Sequence, residues 1–457
     1  MGRKPSGKRL NVFMNSRLVG VLTSEKSGAL SFEYDADWLG WEHAMPISRS
    51  VPLREDTYVG GPIFYVLDNL LPDSVEIRRH IAARVKADDI KAYSLLSKIG
   101  RDCVGALQFL PDGDSPGAPG QVDVVPADDA RIGELLRNLG RAPLGVTDDD
   151  EFRISIAGAQ EKTALTLVDG TWCFPRGSTA TTHILKPTIG LLPNGWDFSL
   201  SVENEWFCLA LLDRFGLPAP KAKICHFDGK KVLVVERFDR KWTSDGRLLR
   251  IPQEDMLQAK GMSRNQKYEE EGGPTMAEIF EILRASDNPE GDTAMLFKAK
   301  MLYWMLAATD CHAKNYSIFL MPGGRSRLAP FYDVASAQPN YDAGQVGSGL
   351  VKMAMAVNGR FRVEEITHDD WHEAARKCGV PPITVLDTMD SIIAAAPGVI
   401  EAQMASLPDD FPHVLAASII GGLERRLLAI KNAMVPGGVV VGTELTVPFD
   451  RRLPSPP

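Results

Sequence analysis

The segment Thr309-Asp-Cys-His-Ala-Lys-Asn315 sets an aspartate and an asparagine five positions apart. That is the D-x-x-x-x-N spacing of a kinase catalytic loop, in which the carboxylate accepts the proton of an acceptor hydroxyl and the amide binds a metal ion. Eighteen positions beyond Asn315, Asp333 lies in the apolar stretch Pro330-Phe-Tyr-Asp-Val334, where a second metal-binding aspartate is expected. Phosphoryl transfer asks little else of side chains: a cation on the non-reacting phosphates and oxygen ligands for magnesium. Lys186, at the end of an expected strand, can supply the cation, and Glu205 or Glu203 from the following helix can hold it. The loop Ser155-Ile-Ala-Gly-Ala-Gln-Glu-Lys162 can lay backbone N–H groups over the phosphates. The strand ending at Glu236 has the place of a hinge whose backbone groups meet adenine.

Taken singly, each of these has a plainer reading. An Asp-x-x-x-x-Asn recurs by chance, and a lysine after a strand is usually a solvated end. Lys162-Thr163 imitates the close of a Walker A loop, but Ile156 and Glu161 stand where its two glycines belong. His368-Asp-Asp-Trp-His372 has histidines at i and i+4 yet lacks the glutamate of H-E-x-x-H, and its acidic residues suit the first turn of a surface helix. The order of the parts along the chain is what favours phosphoryl transfer over these separate readings.

Those residues need a scaffold, and the hydropathy pattern supplies one. Residues 10–22 alternate apolar and polar through Asn15-Ser-Arg17, which predicts a hairpin opening a β-rich unit. A helix is expected from Asp73, with Asp73 and Glu76 as a capping box and Ile77, Ile81 and Val85 on one face. Asp112-Gly-Asp-Ser-Pro-Gly-Ala-Pro-Gly120 reads as an exposed loop and a soft boundary. From Phe152 to Cys173 the expectation is strand, tight loop, strand, an Asp169-Gly170 hairpin turn and a further strand. Thr182-His-Ile-Leu-Lys186 and Lys231-Val-Leu-Val-Val-Glu236 read as strands flanking a helix over 202–215. Beyond residue 240 the period is mostly helical, as at 292–308 and 414–433. A small sheet lobe with one helix thus precedes a larger helical lobe.

With 457 residues, 44% hydrophobic and 24% charged, the composition is that of a globular protein of one lobed domain or two to three domains. A formal net charge of −8 argues against the whole surface serving as a nucleic-acid footprint. The six scattered cysteines form no C-x-x-C pair, so a reducing, cytoplasmic compartment is expected. The basic start is too weakly apolar for a signal peptide, no run is read as spanning a membrane, and Gly2 with Ser6 matches a loose myristoylation pattern that recurs by chance.

Ile154-Ser-Ile-Ala-Gly-Ala-Gln-Glu-Lys-Thr-Ala-Leu165, Thr181-Thr-His-Ile-Leu-Lys186, Val235-Glu-Arg-Phe-Asp-Arg240, Pro252-Gln-Glu-Asp-Met256 and Thr309–Asn315 closely resemble HipA toxin kinases. So do Asp68-Asn-Leu-Leu-Pro-Asp-Ser74 and Ile99-Gly-Arg-Asp-Cys-Val-Gly105. The resemblance runs from about residue 10 to 433 and implies an α+β, two-lobed protein-kinase/phosphoinositide-kinase-like fold behind an N-terminal β-rich subdomain. The implied division is 10–150 for that subdomain, 151–238 for the ATP-binding lobe and 239–435 for the helical lobe; the Gly/Pro-rich 436–457, which has no counterpart in the resemblance, is expected from its composition to be a flexible tail. It makes Asp310 the catalytic base, Asn315 and Asp333 the Mg2+ ligands, and Lys186 the phosphate-binding lysine. Ala157, Gly158, Ala159, Gln160, Glu161 and Lys162 become the phosphate loop, Glu236 and Phe238 the adenine hinge, and His312 a nucleotide neighbour. Ser155 matches the family's autophosphorylated serine, where a dianion would repel the phosphates of ATP. Cys311 stands where glycine is usual, which puts local loop geometry in question.

The implied partners are a helix-turn-helix, HipB-like antitoxin dimer, operator DNA through that complex, and a protein substrate such as an aminoacyl-tRNA synthetase, glutamyl-tRNA synthetase in particular. Arg376-Lys377 could touch DNA phosphates in such a complex, though two basic residues more often form a solvated helix end. Two other classes fit part of the pattern, a catalytically weak binding module or corepressor and a small-molecule kinase. The first predicts loss of Asp310, Asn315, Asp333 or Lys186, and all four are present. The second differs only in its acceptor.

Overall fold

The computed structural model describes residues 7–145, 154–158, 160–193, 195–347 and 349–434. Gly2, Ser6, Phe152, Ala159 and the tail 436–457 lie outside these residues. The predicted hairpin forms from strands Lys8–Met14 and Arg17–Ser24. Asn15 and Ser16 between them have φ of 46° and 68°, the two-residue turn whose twist matches that of paired strands. Leu30–Tyr34, Tyr58–Val59 and Leu107–Pro111 complete a five-stranded antiparallel sheet. Helices Gly61–Asn69, Val75–Arg84 and Ala92–Ile99 share its core, in which Val12, Phe32, Trp38 and Leu96 are buried.

The cap of Val75–Arg84 departs from expectation. Ser74, not Asp73, accepts the Ile77 amide at 3.3 Å. Asp73 turns instead to the Lys314 ammonium 2.7 Å away, a stronger partner for a carboxylate than a backbone amide.

A second antiparallel sheet runs in the order Ala222–Phe227, Lys230–Glu236, His183–Pro187, Thr163–Val168, Thr171–Pro175, Val124–Pro126. The Asp169-Gly170 turn is as predicted, with both residues at positive φ. No strand precedes the loop at 155–162 among the described residues: Ile154 makes only an isolated bridge to Asp102. Strand Val124–Pro126 and helix Asp129–Asn138 belong to this second sheet, pairing with Thr171–Pro175 and packing Ile132 and Leu136 against Leu165, Leu185 and Val232. The irregular segment 112–123 therefore lies between the strands of the two sheets.

Helix Ser201–Arg214 lies between this sheet and the helical lobe. The lobe's core gathers Phe207, Phe280, Phe297, Leu302, Trp371 and Ile419 from Ser201–Arg214, Met276–Arg284, Pro289–Met305, His368–Cys378 and His413–Ala433. Thr367 and Asp370 form the capping box of His368–Cys378, so the His368/His372 motif does open a helix. Arg376 pairs with Glu373 at 2.6 Å and Lys377 with Asn358 at 2.7 Å. Contrary to the sequence reading, Pro382–Ala405 is by length and apolarity long enough to cross a membrane. It packs against Ser201–Arg214, Pro289–Met305 and His413–Ala433, which accounts for its apolar residues within the lobe.

Candidate active site

A cavity of about 930 Å³ opens between the second sheet and the helical lobe, at the upper end of the size range of small-molecule sites. Lys186 enters it from His183–Pro187, where neighbouring strands on both sides fix the backbone. Its ammonium donates to Glu205 Oε1 at 2.7 Å and to Asp333 Oδ1 at 2.6 Å. Of the two candidate glutamates, Glu205 is thus the partner, while Glu203 pairs with Lys231. Burial alone would lower the Lys186 pKa, but Asp333 and Glu205 outweigh it and keep the ammonium charged. Burial likewise would raise the Asp333 pKa; Lys186 and Lys162 instead hold that carboxyl well below the usual range.

Asp333 has φ of 60°, a left-handed conformation unusual for a residue with a side chain and one that persists only where its surroundings enforce it. The enforcement is visible three residues on. Asn204, beside Glu205 on the same helix, donates to the Ser336 carbonyl and accepts from the Ser336 amide, both at 2.8 Å. One helix therefore fixes both partners of the lysine.

The catalytic-loop candidates converge on the same cavity, which Asp310, His312 and Asn315 line. Asn315 donates through Nδ2 to the Asp310 carbonyl at 2.8 Å, leaving Oδ1 as its acceptor atom. Asp310 Oδ1 accepts from the Tyr268 hydroxyl at 2.5 Å. His312 is buried, which lowers its pKa, and its Nδ1 has no protein partner. The loop is anchored from the first domain: Lys314 donates to Asp73 Oδ1 at 2.7 Å, and Lys267 lies 3.4 Å from Oδ2 of the same carboxylate.

The phosphate-loop candidates Ala157, Gly158, Gln160, Glu161 and Lys162 also line the cavity. Lys162 Nζ donates to the Ala157 carbonyl at 2.8 Å, Gln160 to the Pro187 carbonyl at 2.9 Å, and the Gly158 carbonyl accepts the Asp73 amide at 3.1 Å. Gly158 has φ of 111°, and a Cβ there would stand 2.5 Å from Lys162 Nζ. Ser155 lies behind this loop, fully buried, its hydroxyl donating to the Leu70 carbonyl at 2.8 Å. Glu236 and Phe238 line the far wall, with the Glu236 amide already bonded to the Lys221 carbonyl.

Two family models match the chain: a HipA N-terminal domain over residues 10–110 and a HipA-like C-terminal domain over residues 154–400. The chain belongs to the HipA family. Y4mE of Sinorhizobium fredii, whose kinase name is itself provisional, is 35% identical over 376 residues, covering 81% of this chain and 86% of that protein. The serine/threonine-protein kinase toxin HipA of Shewanella oneidensis is 25% identical over 417 residues, 87% of this chain and 90% of that one. The solved Shewanella oneidensis HipA, in complex with HipB and operator DNA, aligns with a TM-score of 0.76 at 24% identity over 92% of this chain and 96% of that chain. That likeness establishes the HipA fold for this chain.

The HipA-family motifs divide by what they touch. In Val235–Arg240, Arg237, Asp239 and Arg240 join a buried ion cluster at the edge of the cavity, which Arg237 and Asp239 also line: Asp102 accepts from Arg240 at 2.9 Å and Arg250 at 2.8 Å, with Arg237 3.5 Å away, and Asp239 pairs with Arg237 and Arg240. All five are buried. This cluster joins Ile99–Gly105 of the first domain to the sheet lobe. The residues that the sequence reading missed are Tyr268, Asp73 and Asn204. Each is remote in sequence from the group it holds, so no local spacing marks it.

Proposed function

We propose that this chain is an ATP- and Mg2+-dependent serine/threonine-protein kinase, the toxin of a toxin–antitoxin module. The observation that carries the reading is Lys186, bonded at once to Glu205 and Asp333 in the cavity that Asp310 and Asn315 line. The donor set fits the ligands. Asp333 and Asn315 offer two protein oxygens, and magnesium usually takes one or two carboxylates and keeps water and phosphate oxygens for the rest. Bound there, it supplies positive charge against which the phosphates' charge is neutralised.

In this reading Lys186 and Lys162 hold the non-reacting phosphates, the backbone of 157–162 covers them, and Glu236 and Phe238 meet adenine. Asp310 takes the proton of the acceptor hydroxyl as its oxygen bonds to the γ-phosphorus, and the bond from that phosphorus to the β-phosphate oxygen breaks to release ADP. His312, with an unpartnered Nδ1 at the cavity, is suited to contact the nucleotide.

By likeness to the Shewanella oneidensis complex, a HipB-like dimer and operator DNA are the proposed partners. An aminoacyl-tRNA synthetase such as glutamyl-tRNA synthetase is the proposed target in the cytoplasm, with growth arrest and persistence as the outcome. Autophosphorylation is assigned to Ser155. It requires that residue to leave its bond to Leu70, and the added dianion would then oppose return of the loop. Incubation with γ-labelled Mg-ATP and a cell lysate tests the whole reading. Label on serine or threonine of a protein supports it; label only on small molecules, or none, contradicts it.

A further inference from the structure

Asp310 is an exposed residue in the cavity wall, and an exposed carboxylate has two equivalent oxygens and a freely turning plane. Here it is not free. Its carbonyl accepts from Asn315 Nδ2 and from the His312 amide, both at 2.8 Å, which sets the backbone. Its Oδ1 accepts from Tyr268, 42 positions earlier in the chain.

Tyr268, half-buried, is itself held at its ring and at its backbone. Its ring meets the edge of the His312 ring at 5.2 Å and 83°, and the Lys267 ammonium sits 5.3 Å from its centroid. The Lys267 carbonyl accepts the Ala313 amide at 3.1 Å, tying this segment to the catalytic loop. The Tyr268 carbonyl accepts from the amides of Glu271 and Gly273, and a Cβ at Gly273 would lie 2.6 Å from that oxygen, so the turn admits only glycine. Burial, followed by the Asp310 charge, raises the Tyr268 pKa, so the hydroxyl stays a donor.

We infer that Tyr268 is a positioning residue: its hydroxyl fixes Oδ1 of Asp310 so that Oδ2 is the oxygen presented to the acceptor hydroxyl. This rests on the kinase reading above and adds to it a cavity-lining group that acts through Asp310. A hydrogen bond to a charged group that orients a base governs the rate of proton removal and leaves nucleotide binding alone.

The test compares wild type, Tyr268→Phe, Asp310→Asn and the double variant, reading label transfer from γ-labelled Mg-ATP to lysate protein, calorimetric Mg-ATP affinity and thermal stability. Tyr268→Phe should lower kcat roughly ten- to hundredfold with KM for Mg-ATP unchanged, and should have no further effect on transfer in the Asp310→Asn background. Equal loss of Mg-ATP affinity or stability in both backgrounds would make the role structural and overturn the inference. A faster Tyr268→Phe enzyme would mean the hydroxyl blocks the acceptor's place, and an unchanged one that Oδ1 needs no partner; either overturns it. Wild type that transfers nothing to protein overturns the kinase reading and this inference together, which sets that failure apart from the others.

Discussion

At the scale of single residues, Lys162 gives the site a pH dependence. Burial lowers its pKa from 10.5 to about 8, so its ammonium is present below about pH 8 and lost above. Calorimetric Mg-ATP affinity should weaken as pH rises from 7 to 9, and Lys162→Met should bind more weakly at pH 7 with a flatter profile. In the free protein the sign is opposite. Between about pH 8 and 10.5 the unfolded chain holds a proton that the folded chain has released, so stability should rise with pH relative to Lys162→Met. The candidates Asp310 and Asn315, which line one cavity, were legible in sequence because the chemistry proposed for them sets a short spacing. Tyr268 was not, because a residue that acts through another can come from any part of the chain. Cys311, where the family usually has glycine, is not among the residues at positive φ. The loop therefore does not need glycine there, and the doubt it raised does not arise in the backbone.

At the scale of elements, strands and helices with clear periods were legible to within a residue or two: His183–Pro187, Ser201–Arg214, Lys230–Glu236 and His413–Ala433. What failed was what depends on distant partners. The Asp73 cap lost to Lys314, and among the described residues before the loop at 155–162, Ile154 makes only an isolated bridge to Asp102. Asp102 itself shows why the Ile99–Gly105 and Val235–Arg240 motifs occur together. Burial raises its pKa, and Arg240, Arg250 and Arg237 more than reverse that, holding the carboxyl far below its ordinary range. Its contribution is therefore present above the ordinary carboxylate pKa and lost only in stronger acid. Asp102→Ala leaves buried Arg237 and Arg240 sharing the Asp239 carboxylate and Arg250 with backbone carbonyls, and should destabilise the protein by about 3–5 kcal/mol, read by denaturant titration at pH 7. A change below about 0.5 kcal/mol, the size usual for surface sites, would show that the cluster does not join the domains.

At the scale of the whole molecule, the first domain is part of the active-site frame. Asp73 receives Lys314 of the catalytic loop and bonds through its amide to Gly158 of the phosphate loop, while Arg264 bridges to Asp68 at 3.1 Å. Asp73→Asn should keep the fold but release Lys314, speeding amide hydrogen exchange across 309–315; unchanged exchange there would show that the loop is held by its own lobe. This arrangement was only half legible in sequence, since Asp68–Ser74 marks the family but its contact with residue 314 exists only in the folded chain. The central claim is phosphoryl transfer with Asp310 as base. Mg-ATP affinity and γ-label transfer to protein, measured side by side for wild type and Asp310→Asn, test it most directly. The account predicts nearly unchanged affinity and transfer slowed at least about 10²-fold; label reaching serine or threonine at the wild-type rate in the variant would contradict it.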